Sequence, residues 1–462
     1  MAHRESGLNR RNWLKIAGLT ATLAARLPGQ ESYGVFQQSP RVLLNEDRLR
    51  LLRREAQRRT PRWVQLEMLL RGGAQFPEPA FAYALGHLAT GDAELAAKAI
   101  AAVNARMGDS RAGIREIAQV RDWCRAALKP ADLERLDKRL IAAAAARPSS
   151  LDNPGPARDA TLAAVALADD YPKVSADALR WVHTTWWPHQ LARTEKGQIP
   201  VTHDEALAFV EVLYSFEKAL QLDLREGAAD FFRSYPIWHL LRHYPASLPG
   251  GENDYRVPAF AGNSQPDPDV CVRSRAAELA MVALDTNAEA SQYLQGWLLS
   301  PRFRMRGAYG APYEFFWCNP YQPSLSYFYL PLYQHLPAFG TLLARSSWEE
   351  NANWFGLIEG QMQYFTLEGI KVLTLPARNG VLAMGPSTLV LEGTTNPAGG
   401  SSEAEIPECE RVFWLGLRPS APYLVEIDGE EQTEAETDAG GILAMDFSNR
   451  PGGGMCVRLK GS

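Results

Sequence analysis

The sequence predicts a multi-domain α + β protein, with a helical N-terminal part and a strand-rich C-terminal part. Between residues 41 and 297, apolar residues recur every three or four positions, a spacing typical of amphipathic helices. After Phe339 the pattern changes to short β-rich segments separated by glycine-rich turns. A chain of 462 residues is also too long for one ordinary hydrophobic core. Together these observations predict at least two domains, the first built from helices and the second from strands.

The first residues are predicted to form an export signal. Arg10 and Arg11 precede a short apolar run, Ile16–Ala25, which is too short to span a bilayer as a helix. The paired arginines resemble a twin-arginine signal, which directs folded proteins to a bacterial exporter. We therefore expect residues 1–35 to be a signal and linker. The protein is expected to be periplasmic or secreted, without stable insertion in a membrane.

The helical part is predicted to cover residues 36–335. Short links containing Gly, Pro or Asp separate its helices, which favours antiparallel helix pairs. Stacked pairs of this kind predict an α/α toroid, an incomplete barrel of helix pairs with a groove at one end. The predicted helices of this part are Pro79–Ala89, Ala93–Met107, Ile114–Ala127, Ala131–Ala146, Pro156–Asp169, Ser175–Gln190, Asp204–Leu222, Gly227–His243 and Val272–Leu284.

Residues 336–462 are predicted to form an antiparallel β-sandwich-like domain. The Asp428–Gly429 pair, flanked by β-rich residues, is a typical hairpin turn. The five cysteines are widely spaced and form no C-x-x-C motif, which argues against a zinc knuckle or a redox pair. A Cys409–Cys456 disulfide and buried free thiols are both compatible with this pattern.

The junction between the two parts, residues 306–360, is rich in aromatic residues and proline. Proline blocks long regular helices, so these rings are predicted to lie on irregular backbone. Tyr and Trp combine an apolar face with a polar edge, which suits a sugar ring, although the same rings could simply fill a domain junction. The residues of this stretch expected to bind substrate are Tyr309, Tyr313, Glu314, Trp317, Asn319 and Tyr321.

Three local motifs resemble the heparinase II/III-like polysaccharide lyases. They are Pro40–Leu44, Asn319–Pro323 and, above all, the R-S-S-W-E-E run within Arg345–Phe355. The resemblance implies a toroid followed by a β-sandwich, with the active cleft between them. It also implies cleavage of an acidic, uronate-containing polysaccharide or oligosaccharide by β-elimination. A net charge of −5 argues against nucleic acid as the main partner.

β-Elimination requires a base for the proton beside the uronate carboxylate, an acid for the departing oxygen, and a group that stabilises the charge on the carboxylate. His203, at the start of a predicted helix, and Tyr255, on a loop, suit the acid and base roles. Asn153 and Arg256 are the corresponding candidates for holding the carboxylate. The reaction itself needs no metal and no cofactor. His239 and His243 share a helical face, but two ligands without a third do not make a zinc site.

Two further hypotheses remain open. No histidine follows His335, whereas the resembled family carries one in its β domain, and this favours a non-catalytic glycan-binding protein. The other hypothesis is a glycoside hydrolase on the same toroid, which needs two carboxylates across the scissile bond. The carboxylates available for that role are Asp204, Glu205, Glu252, Asp254, Asp267 and Asp269.

Overall fold

The computed structural model describes residues 33–107, 113–195, 205–262, 267–395, 401–450 and 452–461. Gly34–Ser462 form one compact unit. Two features predicted from the sequence, the signal and His203, lie outside the described residues. In the described ranges the N-terminal part is helical and the C-terminal part consists of antiparallel and mixed sheets, so the predicted α + β division is confirmed at this level. No helix within these ranges is long and apolar enough to cross a bilayer.

Prolines and capping side chains set where many helices begin. Proline occupies the first turn of α2, α3, α6, α7, α8 and α12, where its missing N–H breaks no helical hydrogen bond. Asn45, Asp92, Asn153 and Asp267 cap their helices by accepting a backbone N–H. The helices are α1 (Glu46–Gln57), α2 (Pro61–Arg71), α3 (Pro79–Thr90), α4 (Ala93–Arg106), α5 (Ile114–Trp123), α6 (Pro130–Ala145), α7 (Pro154–Leu167), α8 (Pro172–Trp181), α9 (Trp187–Glu195), α10 (Ala206–Leu220), α11 (Ala229–Leu241), α12 (Pro268–Leu284), α13 (Glu289–Leu298) and α14 (Gly310–Trp317).

Six of these helices pack against one another in a fixed order. The order is α3, α5, α7, α10, α12, α14, and α14 in turn packs against α3. Among the remaining helices, α4 packs on α3, α8 on α7 and α13 on α12. The prediction of irregular backbone throughout the aromatic junction is wrong for Gly310–Trp317, which is α14. Pro312 lies in its first turn, where proline is tolerated.

The described residues of the strand-rich part form three sheets. The first has the order β1-β2-β3-β4-β5, the second β12-β9-β7-β6 and the third β11-β10-β13-β8. β7 and β9 run parallel, so the prediction of a purely antiparallel domain is wrong for the second sheet. The strands are β1 (Tyr333–Leu336), β2 (Thr341–Arg345), β3 (Trp354–Ile358), β4 (Gln361–Thr366), β5 (Gly369–Leu373), β6 (Gly380–Met384), β7 (Ser387–Leu391), β8 (Ser401–Ile406), β9 (Arg411–Leu415), β10 (Pro422–Ile427), β11 (Glu431–Glu436), β12 (Leu443–Asp446) and β13 (Met455–Gly461).

The second sheet lies between the other two because both of its faces are apolar. Phe413 and Leu415 of β9 pack with Leu342 and Phe355 of the first sheet. Trp414, which points to the opposite face of β9, packs in a separate cluster with residues of the third sheet. All five cysteines lie in the described residues and are free thiols.

The first sheet is hydrogen-bonded directly to the helical part. Trp354 of β3 donates its indole N–H to the Leu241 carbonyl at the end of α11, at 2.7 Å. The buried Tyr244 hydroxyl donates to Gln363 Oε1 of β4 at 2.5 Å, and Gln363 Nε2 donates to the Phe260 carbonyl at 2.8 Å. Both Tyr244 and Phe260 lie on the segment that connects α11 to α12. The sheet therefore fixes the position of that segment.

Tyr244→Phe is expected to lower the free energy of unfolding by about 1–3 kcal/mol, because it leaves the buried Gln363 carbonyl without its donor. Urea denaturation followed by circular dichroism measures the change. Tyr329→Phe is the matched control, since Tyr329 is 85% exposed. Equal stability of the two variants would show that the Tyr244 hydrogen bond does not stabilise the contact between helices and sheet.

Candidate functional site

The N-terminal ends of the six contacting helices meet at one end of the helical part. Glu78 caps α3 and accepts a hydrogen bond from the Tyr313 hydroxyl in the first turn of α14. Arg115, at the start of α5, lies 3.7 Å from Glu78 and donates its Nε–H to Glu211 of α10 at 2.8 Å. Arg273 of α12 donates to the Tyr309 hydroxyl, directly before α14, at 3.3 Å. Because each of these residues lies in or beside the first two turns of its helix, the N-terminal ends of α3, α5, α10, α12 and α14 lie at the same end of the helical part.

α7 joins the same group through Arg158, whose charge acts on Glu211. Arg158 also forms an ion pair with its neighbour Asp159, at 2.7 Å. We call Glu78, Arg115, Arg158, Glu211, Arg273, Tyr309 and Tyr313 the N-terminal cluster. Helix N-termini carry partial positive charge and unpaired N–H groups, so their convergence favours an anionic ligand.

Arg115 is the centre of the N-terminal cluster. Its side chain is 3% exposed, and its guanidinium lies 4.5 Å from the ring centroid of Phe81 and 5.1 Å from that of Tyr313. Its two terminal nitrogens and the second oxygen of Glu211 have no hydrogen-bond partner within the described residues. Burial raises the pKa of Glu211, an effect that Arg115 and Arg158 oppose. At this depth a sugar does not reach Arg115 without rearrangement, and the guanidinium is already paired with Glu211 and Glu78, so it stabilises the packing of the cluster.

Tyr255, the sequence candidate for acid–base chemistry, lies near this cluster. Burial is the main cause of the raised pKa of Tyr255 and also of Tyr309. Tyr255 lines a small cavity together with Cys271 in the first turn of α12, and the exposed carboxylate of Asp269, at the start of the same helix, contributes to both pKa shifts. A tyrosine is protonated at neutral pH, so each phenol has a proton that it can donate to a departing oxygen.

The other sequence candidates for catalysis have different surroundings. Asn153 caps α7 by accepting the Gly155 N–H at 2.6 Å, so it lies at the same end of the helices as Arg158, with its carboxamide oxygen engaged. Arg256 packs its guanidinium 3.3 Å from the ring centroid of Trp297 and donates to the Trp297 carbonyl. Burial lowers the pKa of Arg256 to about 9. Its surroundings are those of a stacked arginine that anchors a loop.

α14 separates the predicted substrate-binding residues into two groups. Tyr309 and Tyr313 lie at its N-terminal end, within the cluster, whereas Asn319 and Tyr321 follow its C-terminal end. Glu314 and Trp317 point into the protein between them. Each is 1% exposed, so a sugar reaches neither without rearrangement.

Glu314 belongs to an interior ion cluster. Arg275 donates to it through Nε at 2.9 Å and through a terminal nitrogen at 3.2 Å, and Arg62 adds a contact at 3.4 Å. These contacts link α2, α12 and α14 below the N-terminal cluster. Glu314 therefore stabilises the packing of the helices around the site.

Glu78, Arg115, Arg158, Glu211 and Arg273 were not among the site residues predicted from the sequence. A usable signal existed for Glu211, which interrupts the apolar run AFVEVLYSF on α10. A single charge in a helix that is apolar on all sides indicates a buried partner. Nothing in the spacing of the sequence indicates which arginine supplies that partner, because the contact joins residues 96 positions apart.

A cavity of about 300 Å³ lies beside the starts of α5 and α7. This volume is at the lower end of the range typical of small-molecule sites. It is lined by Ile114, Arg139, Ala142, Ala143, Ala146, Pro156 and Asp159. A second, polar cavity of about 670 Å³ lies at the opposite end of the six helices and includes Arg48, Lys218 and Asn319.

No family model matches the chain, and no curated protein matches it. Among solved structures, one chain described as a glycoside hydrolase is 9% identical in sequence, with a TM-score of 0.28. The match covers 90% of this chain and 75% of that chain. A TM-score this low carries no argument about fold or activity.

Arg115→Met is expected to lower the free energy of unfolding by about 3–5 kcal/mol, because it leaves the buried Glu211 carboxylate without its cation. The double variant Arg115→Met/Glu211→Gln is expected to recover a large part of that loss, since it removes the uncompensated charge as well. Urea unfolding of the wild type, both single variants and the double variant gives the coupling energy. A double variant no more stable than Arg115→Met would contradict a direct ion pair at the centre of the cluster.

Proposed function

We propose that the protein cleaves an acidic, uronate-containing polysaccharide by β-elimination at the N-terminal cluster. The observation that carries this proposal is the convergence of arginines and phenols at the N-terminal ends of six parallel helices. Uronate substrates carry a carboxylate on every reacting sugar, and arginine binds carboxylates through paired N–H groups. Phenols in the same place can transfer the protons that elimination requires.

The role proposed for each residue of the cluster follows from how exposed its side chain is. Tyr309 and Arg273 are half-buried and hydrogen-bonded to each other, so they can contact a sugar at the surface of the cluster. Arg273 would attract the uronate carboxylate, whose charge grows as the adjacent proton leaves, whereas the buried Arg115 holds Glu211 and Glu78 in place beneath it. Tyr255 is proposed as the acid that protonates the departing oxygen. His203, assigned from the sequence alone, remains the proposed base, and Asn153 a proposed contact to the carboxylate.

The finer architecture is part of the same proposal. We infer that α3, α5, α7, α10, α12 and α14 are the inner helices of an α/α toroid, because each contacts the next and the last contacts the first. The three stacked sheets would then form a sandwich-like β domain with one sheet more than a two-layer sandwich. We also propose export to the periplasm or the exterior, on the basis of Arg10 and Arg11 in the sequence.

Hydrolysis is the second candidate function, and one observation favours it. Glu78 and Asp269 both contribute to the raised pKa of Tyr309. This phenol is therefore influenced by two carboxylates, one at the start of α3 and one at the start of α12. Two carboxylates on either side of a scissile bond are the usual requirement for glycoside hydrolysis. Hydrolysis and elimination give different products, so one assay separates them.

In a panel of uronate-containing polysaccharides, the wild type is expected to generate an unsaturated sugar that absorbs in the ultraviolet. Tyr255→Phe is expected to reduce that rate by a factor of about 10²–10⁴, the usual contribution of one general acid or base, while the protein remains folded. The exposed Tyr329→Phe is the matched control and is expected to retain the wild-type rate.

New reducing ends without ultraviolet absorbance would instead support hydrolysis, and Glu78→Gln and Asp269→Asn would then be expected to abolish activity. Neither product from any substrate, together with a melting temperature raised by an oligosaccharide, would overturn both enzymatic proposals in favour of glycan binding. Unchanged turnover in Tyr255→Phe would exclude this phenol from the mechanism.

A further inference from the structure

His239, His243 and Glu278 form a buried group that the N-terminal cluster does not use. The two histidines lie one turn apart at the end of α11, and Glu278 lies on α12. His239 Nε2 is 3.1 Å and His243 Nε2 is 3.0 Å from the same oxygen, Glu278 Oε1. All three residues are at most 2% exposed. A third ligand for the histidine pair was not apparent from the sequence because Glu278 lies on a different helix.

The spacing of these three atoms fits a metal centre. Their ligand atoms lie within 4.8 Å of one another. A tetrahedral Zn²⁺ ion about 2.0–2.1 Å from each ligand separates the ligands by about 3.3 Å, close to the two distances observed. Two imidazole nitrogens and one carboxylate oxygen are a donor set that suits Zn²⁺ and Co²⁺.

The hydrogen bonds of His243 support the same conclusion. Its Nδ1 lies 2.9 Å from the His239 carbonyl, which only accepts, so Nδ1 carries the proton. In a neutral ring, the Nε2 lone pair then faces the Glu278 carboxylate, a repulsive arrangement that either a bound cation or a proton on Nε2 relieves. His243 Nε2 and His239 Nδ1 both lack a hydrogen-bond partner within the described residues. A metal-bound histidine typically donates its other N–H to a carbonyl, as His243 does here.

A fourth ligand is available beside these residues. Ser274 Oγ lies 3.5 Å from both His239 Nε2 and Glu278 Oε1. A cavity of about 10 Å³, just large enough for about one water molecule, is lined in part by Glu278 and Cys271. Of the arginines near Glu278, Arg275 has its charge balanced by Glu314, and Arg256 is stacked on aromatic rings.

We propose that His239, His243 and Glu278 bind a divalent transition metal of the Zn²⁺ type, which clamps α11 to α12. The segment that connects these helices carries Tyr255. The metal would therefore hold the base of this loop, and its effect on stability can be measured whatever reaction the protein catalyses.

The test is metal analysis of the full-length protein after chelation and reconstitution with Zn²⁺. The wild type is expected to retain about one equivalent per chain and to melt at a higher temperature than the chelated protein. Reconstitution with Co²⁺ is expected to give visible absorption typical of tetrahedral nitrogen and oxygen ligation. Both measurements use the wild type, so they remain valid if a variant fails to fold.

Glu278→Gln keeps the shape of the side chain but removes the anionic ligand, and it is expected to lose the bound metal. His335→Gln is the matched control, because His335 contacts a carboxylate, Asp438, at 2.8 Å but is not part of this group. It is expected to retain the metal. Absence of tightly bound metal in the reconstituted wild type would overturn the proposal and indicate a protonated His243 paired with Glu278. Retention of the metal in Glu278→Gln would also overturn it, since the metal would then bind elsewhere.

Discussion

The ion pair between Arg115 and Glu211 is the contact on which the arrangement of the helical part depends. It joins α5 to α10 at a depth where neither charge reaches water, and Glu78 extends the same contact to α3 and α14. A buried charge is stable only when its partner is held in place, so this pair restricts how the helices can shift relative to one another. The restriction brings the N-terminal ends of six helices together, and this convergence creates an environment favourable to anions. Fold and site therefore arise from the same interaction.

The polarity of the helices determines what each end of the six can bind. At the N-terminal ends, unpaired N–H groups and arginines favour anions near phenols. At the C-terminal ends, Arg48 donates to the Phe316 and Trp317 carbonyls, which neutralises carbonyl groups that lack a helical partner. Basic residues are present at both ends, but those at the C-terminal end are partly engaged in capping. For this reason the N-terminal cluster is the better candidate for the substrate-binding site, even though the cavity at the opposite end of the helices is larger than the cavity beside the cluster.

Local signals in the sequence predicted the elements more accurately than the site. Pro79 and Ala93 were expected to start helices, and α3 and α4 begin there, because capping and proline placement depend on neighbouring residues. The helical course of Gly310–Trp317 was missed because proline in a first turn does not break a helix. Arg115, Glu211 and Glu278 could not be assigned, since their partners are distant in sequence and are brought together only by packing. Tyr309 and Tyr313 lie in the cluster, but their role in substrate binding stays a prediction, and their partners do not follow from the sequence.

No histidine follows His335 in the sequence. The strand-rich part instead contributes by positioning the loop that carries Tyr255. The segment that carries Tyr255 begins near the end of α11 and is attached to β4 through Tyr244, Phe260 and Gln363. Arg302, which donates to Asp254 beside Tyr255, also donates to Glu350 between β2 and β3. The first sheet thus fixes this loop from outside, while α11 and α12 fix its two ends. The histidine of this sheet, His335 of β1, is paired with Asp438 at 2.8 Å, so the contribution of the sheet to the proposed chemistry is the position of the loop that carries Tyr255.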